Sequence, residues 1–69
     1  MNKTLLNTLY VMQQGGYLRL DNETIRVELD GETQLRVPLH HLSSILVRGH
    51  TKLSPGLIMA CTERGIAVT

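Results

Sequence analysis

The sequence predicts an α+β fold that is mainly β: antiparallel β-hairpins forming a small sandwich or twisted sheet, with one helix at about 54–64 and a strand starting at about 66. Three observations predict it. Apolar and polar residues alternate through Tyr17–Leu20 and Thr24–Leu29. Turn-forming residues, Gly15-Gly16, Asp21-Asn22 and Asp30-Gly31, punctuate those runs. A single stretch, Ser54 to Gly65, has helical spacing between a capping serine and a terminating glycine.

Thr8 to Met12 carries apolar residues at both parities, Leu9 and Val11 against Tyr10 and Met12, and predicts a strand covered on both sides. Gly15-Gly16 breaks it. A two-residue loop at Asp21-Asn22 joins the next two strands, pairing Leu18 with Ile25 on the inner face and Tyr17 with Arg26 on the outer face. At Asp30-Gly31 a two-residue loop would set Val27 opposite Gln34, which is the wrong face. A three-residue loop or a bulge sets Val27 opposite Leu35 and Ile25 opposite Val37, so one of these is expected in place of a simple type I′ turn. Pro38 ends that strand or places it at an edge. Leu42 to Arg48 forms another strand, with Ile45 and Val47 on one face and Leu46 on the other, closed by Gly49.

Ser54 is suited to the N-cap and Pro55 to the first helical position. Leu57, Ile58 and Cys61 form an apolar stripe that Met59 and Ala60 widen. Arg64 favours the last turn, Gly65 fits the C′ position, and Ile66 to Val68 resumes a strand.

Sixty-nine residues make one domain at most. A chain this short is helped by a staple or a partner, and a single cysteine, Cys61, excludes an internal disulfide. Its apolar surroundings suit a reducing, cytoplasmic setting. No apolar run approaches the roughly 20 residues that span a bilayer, so no membrane partner is expected. Seven Lys+Arg against six Asp+Glu leave a net charge of +1, which argues against tight autonomous DNA binding but leaves room for a local patch. Two tyrosines are the only aromatic residues, so the core must be aliphatic and stacking platforms are scarce. The last residues, Gly65 to Thr69, read as the opening of a strand, from which the chain is expected to be the leading piece of a larger protein; the plainer alternative is a short protein with a C-terminal edge strand.

No catalytic or metal residue is assigned within the chain. His40 and His41, if extended, point in opposite directions, and His50 has no ligand at metal-site spacing. Asp21, Glu23, Glu28, Asp30 and Glu32 lie in or beside turns, where no cleft shifts their proton affinities. Ser43, Ser44 and Ser54 lack a nucleophile motif, and Cys61 reads as core. Gly15-Gly16 is no phosphate loop, because no helix follows it. The candidates for DNA contact are an outer-face row of Tyr17, Arg26 and Arg36 with Arg19 two residues from Tyr17, and a second basic spot at Arg48 and Lys52. The alternative for the row is that Glu28 balances its arginines and they only solubilise the sheet.

Several short words occur in a distinctive order: Leu6-Asn7-Thr8-Leu9-Tyr10-Val11, Gln14-Gly15-Gly16-Tyr17-Leu18, Arg36-Val37-Pro38-Leu39-His40-His41-Leu42, Ile45 to Gly49, Ser54-Pro55-Gly56-Leu57 and Glu63-Arg64-Gly65-Ile66-Ala67-Val68. Together they resemble the N-terminal β-domain of the CRISPR-associated Cas-one family, the integrase/endonuclease of CRISPR adaptation, and look most like its type I-C subtype. The resemblance implies a longer parent whose helical C-terminal domain holds the catalytic Glu, His and Asp and a Mg²⁺ or Mn²⁺ ion, with no cofactor in this fragment. It implies that the β-domain forms a homodimer, helps to position double-stranded DNA, and joins an assembly with the family's Cas-two partner. On that basis the fragment is expected to be no enzyme by itself. A small aliphatic core independently favours burying a face against a second copy. The competing expectations are a stand-alone β-domain that binds RNA or single-stranded DNA, and a plain protein-interaction module.

Overall fold

A computed structural model of the chain describes residues 2–69. Eight strands and one α-helix follow in the order β1 (Asn2–Leu5), β2 (Thr8–Met12), β3 (Gly16–Asp21), β4 (Thr24–Leu29), β5 (Glu32–Pro38), β6 (Ser44–Arg48), β7 (Thr51–Leu53), α1 (Pro55–Arg64) and β8 (Ala67–Val68). They build two four-stranded sheets, ordered β1-β2-β6-β8 and β5-β4-β3-β7. The predicted α+β class, mainly β with one helix, is the observed one. The sheets are mixed, however, where hairpins alone were expected: β2–β6, β3–β7 and β6–β8 are parallel pairs.

Two of those pairs are one long feature. The segment that leaves β2 enters β3, and the segment that leaves β6 enters β7, so two chain stretches run side by side through both sheets. Thr8 pairs with Ser44 and Met12 with Arg48 in the first sheet, and Gly16 with Thr51 and Leu18 with Leu53 in the second. The register changes by one residue at the crossover, because Gln13 to Gly15 is one residue longer than Gly49-His50. Gly15 N–H donates to the His50 carbonyl at 2.7 Å, the Thr51 hydroxyl donates to the Gln13 carbonyl at 3.2 Å, and His50 N–H donates to Gln14 Oε1 at 3.2 Å. Gly49 sits at φ +89°, and a Cβ there would meet the Gln13 carbonyl oxygen at 2.8 Å, so the close approach requires glycine.

The first hairpin turns one residue later than predicted. Asn22, at φ +58°, and Glu23 form the loop, and Asp21 stays in the ladder opposite Thr24. Leu18 therefore pairs with Val27 and Leu20 with Ile25. The predicted register would have set Leu20 against Glu23, a poorer match. The shift is two residues, so the inner and outer faces remain as expected. In the second hairpin, Asp30 and Gly31 both take positive φ and form a two-residue turn. A bulge at Gln34 absorbs the odd residue, and Val27 faces Leu35 and Ile25 faces Val37 as predicted. β5 is an edge strand ending at Pro38.

The core is aliphatic. Leu9, Val11 and Ile45 enter it from the first sheet, and Leu18, Ile25, Val27 and Val37 from the second. Leu39, Leu42, Leu57, Cys61 and Ile66 complete it from the 3₁₀ turn, the helix and the segments beside them. Among the described residues no polar or charged side chain is buried. Tyr10 is half-buried and Met12 exposed, so β2 is fully covered on one side and not on both. Three elements were not predicted: β1, β7 and a 3₁₀ turn at Leu39–His41, which makes the fifth long strand start at Ser44 instead of Leu42.

α1 has the predicted caps. Ser54 Oγ accepts from Leu57 N–H at 3.2 Å, and Pro55 begins the first turn. Gly65 adopts the left-handed conformation, with Ile66 N–H donating to the Cys61 carbonyl at 2.9 Å in a Schellman arrangement. Only Leu57 and Cys61 turn fully inward; the helix packs on β3 of the second sheet and β8 of the first, and Ile58 and Met59 on its other face are 49% and 63% exposed. Arg64 pairs with Glu23 and ties the helix end to the first hairpin turn. Among the described residues no helix is long and apolar enough to cross a membrane.

Candidate nucleic-acid interface

Strand register decides which outer-face side chains meet. Arg19, Arg26 and Arg36 stand in one cross-strand row over β3, β4 and β5. Tyr17, expected in that row, lies two residues away, between Glu28 of β4 and Lys52 of β7. The displaced turn is the cause, since it moves every β3–β4 pair along by one same-face position.

Two carboxylates neutralise much of the row. Arg26 lies 3.2 Å from Glu28 and 3.7 Å from Asp21, and its guanidinium also donates to Thr33 Oγ1 at 2.9 Å. Arg19 reaches Glu28 at 3.7 Å, and Arg36 reaches Asp21 at 4.0 Å. Three guanidiniums and two carboxylates alternate in a lattice whose geometry the strand pairing imposes. A phosphate approaching Arg26 would have to displace contacts already made. Arg26 is half-buried, whereas Arg19 and Arg36 are exposed at the row's two ends.

The second basic spot is different. Arg48 ends β6 and Lys52 sits mid-β7, on either side of the Gly49-His50 turn. Both are exposed, and neither has a carboxylate within ion-pair distance among the described residues. Beside them the crossover opens a groove of about 770 Å³ whose lining includes Tyr17, His50, Thr51, Lys52 and the backbone of Gly15, Gly16 and Gly49. That lining has cationic, aromatic and hydrogen-bonding groups and no acid. Sequence reading found Arg48 and Lys52 as one basic spot and placed Tyr17 in the arginine row. It missed their association with His50, because β7 is three residues long and its pairing to β3 is non-local.

Other titratable groups lie elsewhere on the fold. His40 and His41 share the 3₁₀ turn and are not extended; their rings meet edge to face with centroids 4.3 Å apart. Among the described residues no three His, Cys, Asp or Glu side chains converge. The donors among the described residues therefore form no cluster that fits a catalytic Mg²⁺ or Mn²⁺. Cys61 is buried, and desolvation pushes its thiol pKa up, away from the reactive thiolate.

A family model described as "CRISPR associated protein Cas1" matches residues 9–69. "CRISPR-associated endonuclease Cas1 2" of Rhodospirillum rubrum is 50% identical over 66 residues, which are 96% of this chain and 19% of that protein. "CRISPR-associated endonuclease Cas1 1" of Moorella thermoacetica is 49% identical over 59 residues, covering 86% of this chain and 17% of its own length. The protein of the same name from Chlorobaculum tepidum is 40% identical over 67 residues, 97% of this chain and 20% of its own. The chain thus spans a fifth or less of the curated relatives it matches. The ordered words that carry the Cas-one resemblance and the match over residues 9–69 agree, and the chain belongs to the Cas1 family of CRISPR-associated proteins.

Proposed function

We propose that this chain is the N-terminal β-domain of a CRISPR adaptation integrase/endonuclease, and that it positions double-stranded DNA and supports self-association while the catalytic residues and their Mg²⁺ or Mn²⁺ lie in the helical remainder of the parent. The reading places it in the cytoplasm, in an assembly with a Cas-two-type partner. One observation carries the DNA-positioning part: Arg48 and Lys52 are the uncompensated cations beside an acid-free groove, whereas the arginine row is largely neutralised within its own sheet.

In this reading Lys52 and Arg48 meet backbone phosphates, Tyr17 offers its ring to a sugar or a terminal base, and the rigid crossover fixes their spacing. Such contacts are electrostatic and sequence-independent, so they position DNA without reading it. Self-association draws on the apolar residues left outside the core, among them Leu5, Leu6, Ile58 and Met59. Fluorescence anisotropy with a labelled duplex tests the DNA contact. Weak binding at low salt that fades as salt rises is expected; no binding at low salt, or binding indifferent to salt, contradicts the reading. Sedimentation at increasing concentration tests self-association, and a strictly monomeric species contradicts that part alone.

A further inference from the structure

A second concavity lies away from the crossover, where the β1–β2 turn faces the 3₁₀ turn. It is an open cavity of about 630 Å³, and its polar lining is Thr4, Asn7, Arg36, His40, His41 and Ser43. None of its ten lining residues is acidic. Its walls are fixed: Ser43 N–H donates to the Asn7 carbonyl at 2.8 Å, and Leu39 N–H donates to the Glu23 carbonyl at 2.7 Å. The two imidazoles hold each other edge to face.

Most of the groups on those walls are donors without protein acceptors; the Ser43 hydroxyl is the exception and donates to the Asn7 carbonyl at 3.4 Å. The Thr4 hydroxyl, the Asn7 amide and both imidazoles have no hydrogen-bond partner among the described residues. The Arg36 guanidinium has only Asp21, at 4.0 Å, and that carboxylate is not part of the cavity lining. A metal ion is poorly served here, since no third ligating side chain joins the two histidines. A tetrahedral oxyanion is well served. Residues bearing guanidinium, imidazole, hydroxyl and amide donors line the one cavity from different elements, and charge-assisted bonds from arginine to phosphate are the strong kind.

We propose that this cavity is a phosphate-binding site, occupied by free phosphate or by the terminal phosphate of a nucleic-acid strand. It stands apart from the DNA contact proposed at the crossover and does not depend on it. The test is an NMR titration of the chain, following the His40 and His41 rings and the Asn7 side-chain amide. Inorganic phosphate is added at constant ionic strength against a chloride control, and then a short 5′-phosphorylated oligonucleotide and its 5′-hydroxyl counterpart. Saturable shifts with inorganic phosphate are expected, weakened about tenfold or more by Arg36→Gln and by the double change His40→Gln/His41→Gln. Unperturbed signals elsewhere in each variant confirm that it is folded. A response to the 5′-phosphorylated strand beyond that of the 5′-hydroxyl strand identifies a strand terminus as the source; a response to inorganic phosphate alone identifies the free ion. The proposal is overturned by an absence of saturable shifts, by equal shifts with chloride, by an undiminished response in Arg36→Gln, or by oligonucleotide shifts that ignore the 5′ phosphate.

Discussion

The two sheets are built alike and finished differently. Each has four strands, and the same pair of parallel chain segments passes through both. The second sheet completes itself on its outer face, where the arginines of β3, β4 and β5 alternate with Asp21 and Glu28. The first sheet and the crossover beside it leave groups open to solvent: Leu5 and Leu6 at the β1–β2 turn, Met12 on β2, and Arg48 at the end of β6. Leu6 is 90% exposed and holds φ +57°, a conformation that suits a leucine poorly. The contrast shows that counting basic residues is a poor guide to an interface. Arg19 and Arg26, held by Glu28 and Asp21, count for less as phosphate contacts than two cations whose charges are unmatched.

The contrast should vanish in the core, where both sheets contribute alike, and this gives the largest expected effect. Leu9→Ala and Leu18→Ala each delete a fully buried side chain, one from each sheet, and each should cost about 2–5 kcal/mol in urea unfolding. That approaches the total stability of a domain this small. A loss confined to one of the two would mean that the sheets do not share a core.

Next in size is the crossover. Gly49→Ala must combine a positive φ with a clash against the Gln13 carbonyl, and should cost roughly 2–4 kcal/mol. Gly31→Ala has a similar φ and open space around it, so about 1 kcal/mol is expected there. Equal losses would show that the close approach of the two segments contributes nothing. Ser54→Ala removes the helix cap and should lower stability by about 1 kcal/mol. Leu6→Gly should act in the opposite direction, raising stability by a few tenths to about 1 kcal/mol as backbone strain is relieved at a site with little to lose from burial.

The smallest effects concern charge and pH. Glu28→Gln breaks the ion pairs to Arg19 and Arg26, and should cost about 0.5–1 kcal/mol at low salt and less at high salt. Cys61 supplies the pH dependence. Burial raises its pKa in the folded state, so the folded chain holds the thiol proton more firmly than the unfolded chain. The associated stability is intact below the ordinary thiol range and declines as pH rises through it, so the stability gap between wild type and the less well packed Cys61→Ala should be constant below that range and narrow in alkaline solution, as read by thermal unfolding.

Much of the fold was legible in the sequence because its determinants are local. The caps of α1 at Ser54 and Gly65 are read from two residues, and the phase of Val27 against Leu35 from the alternation alone. The pairings missed are those that depend on distant segments. β7 is too short to show a period, and β1 declares no alternation of its own, yet both are ordered by strands elsewhere in the chain. The candidate site followed the same division. Tyr17, Arg19, Arg26 and Arg36 were rightly set on one face, but a turn displaced by one residue replaced Tyr17 by Arg19 in the row. Asp21 was read as a turn residue, and its place in the ladder is what lets it pair with Arg26 and Arg36.

The most direct test of this account compares the salt dependence of duplex DNA binding by two double variants. Arg48→Gln/Lys52→Gln removes the unmatched cations, and the slope of log affinity against log salt should flatten by about two, close to one unit per lost phosphate contact. Arg19→Gln/Arg26→Gln removes as much formal charge from the matched row and should leave the slope close to that of wild type. The reverse result, a flattened slope in the row variant and an unchanged one at the crossover, would contradict the account.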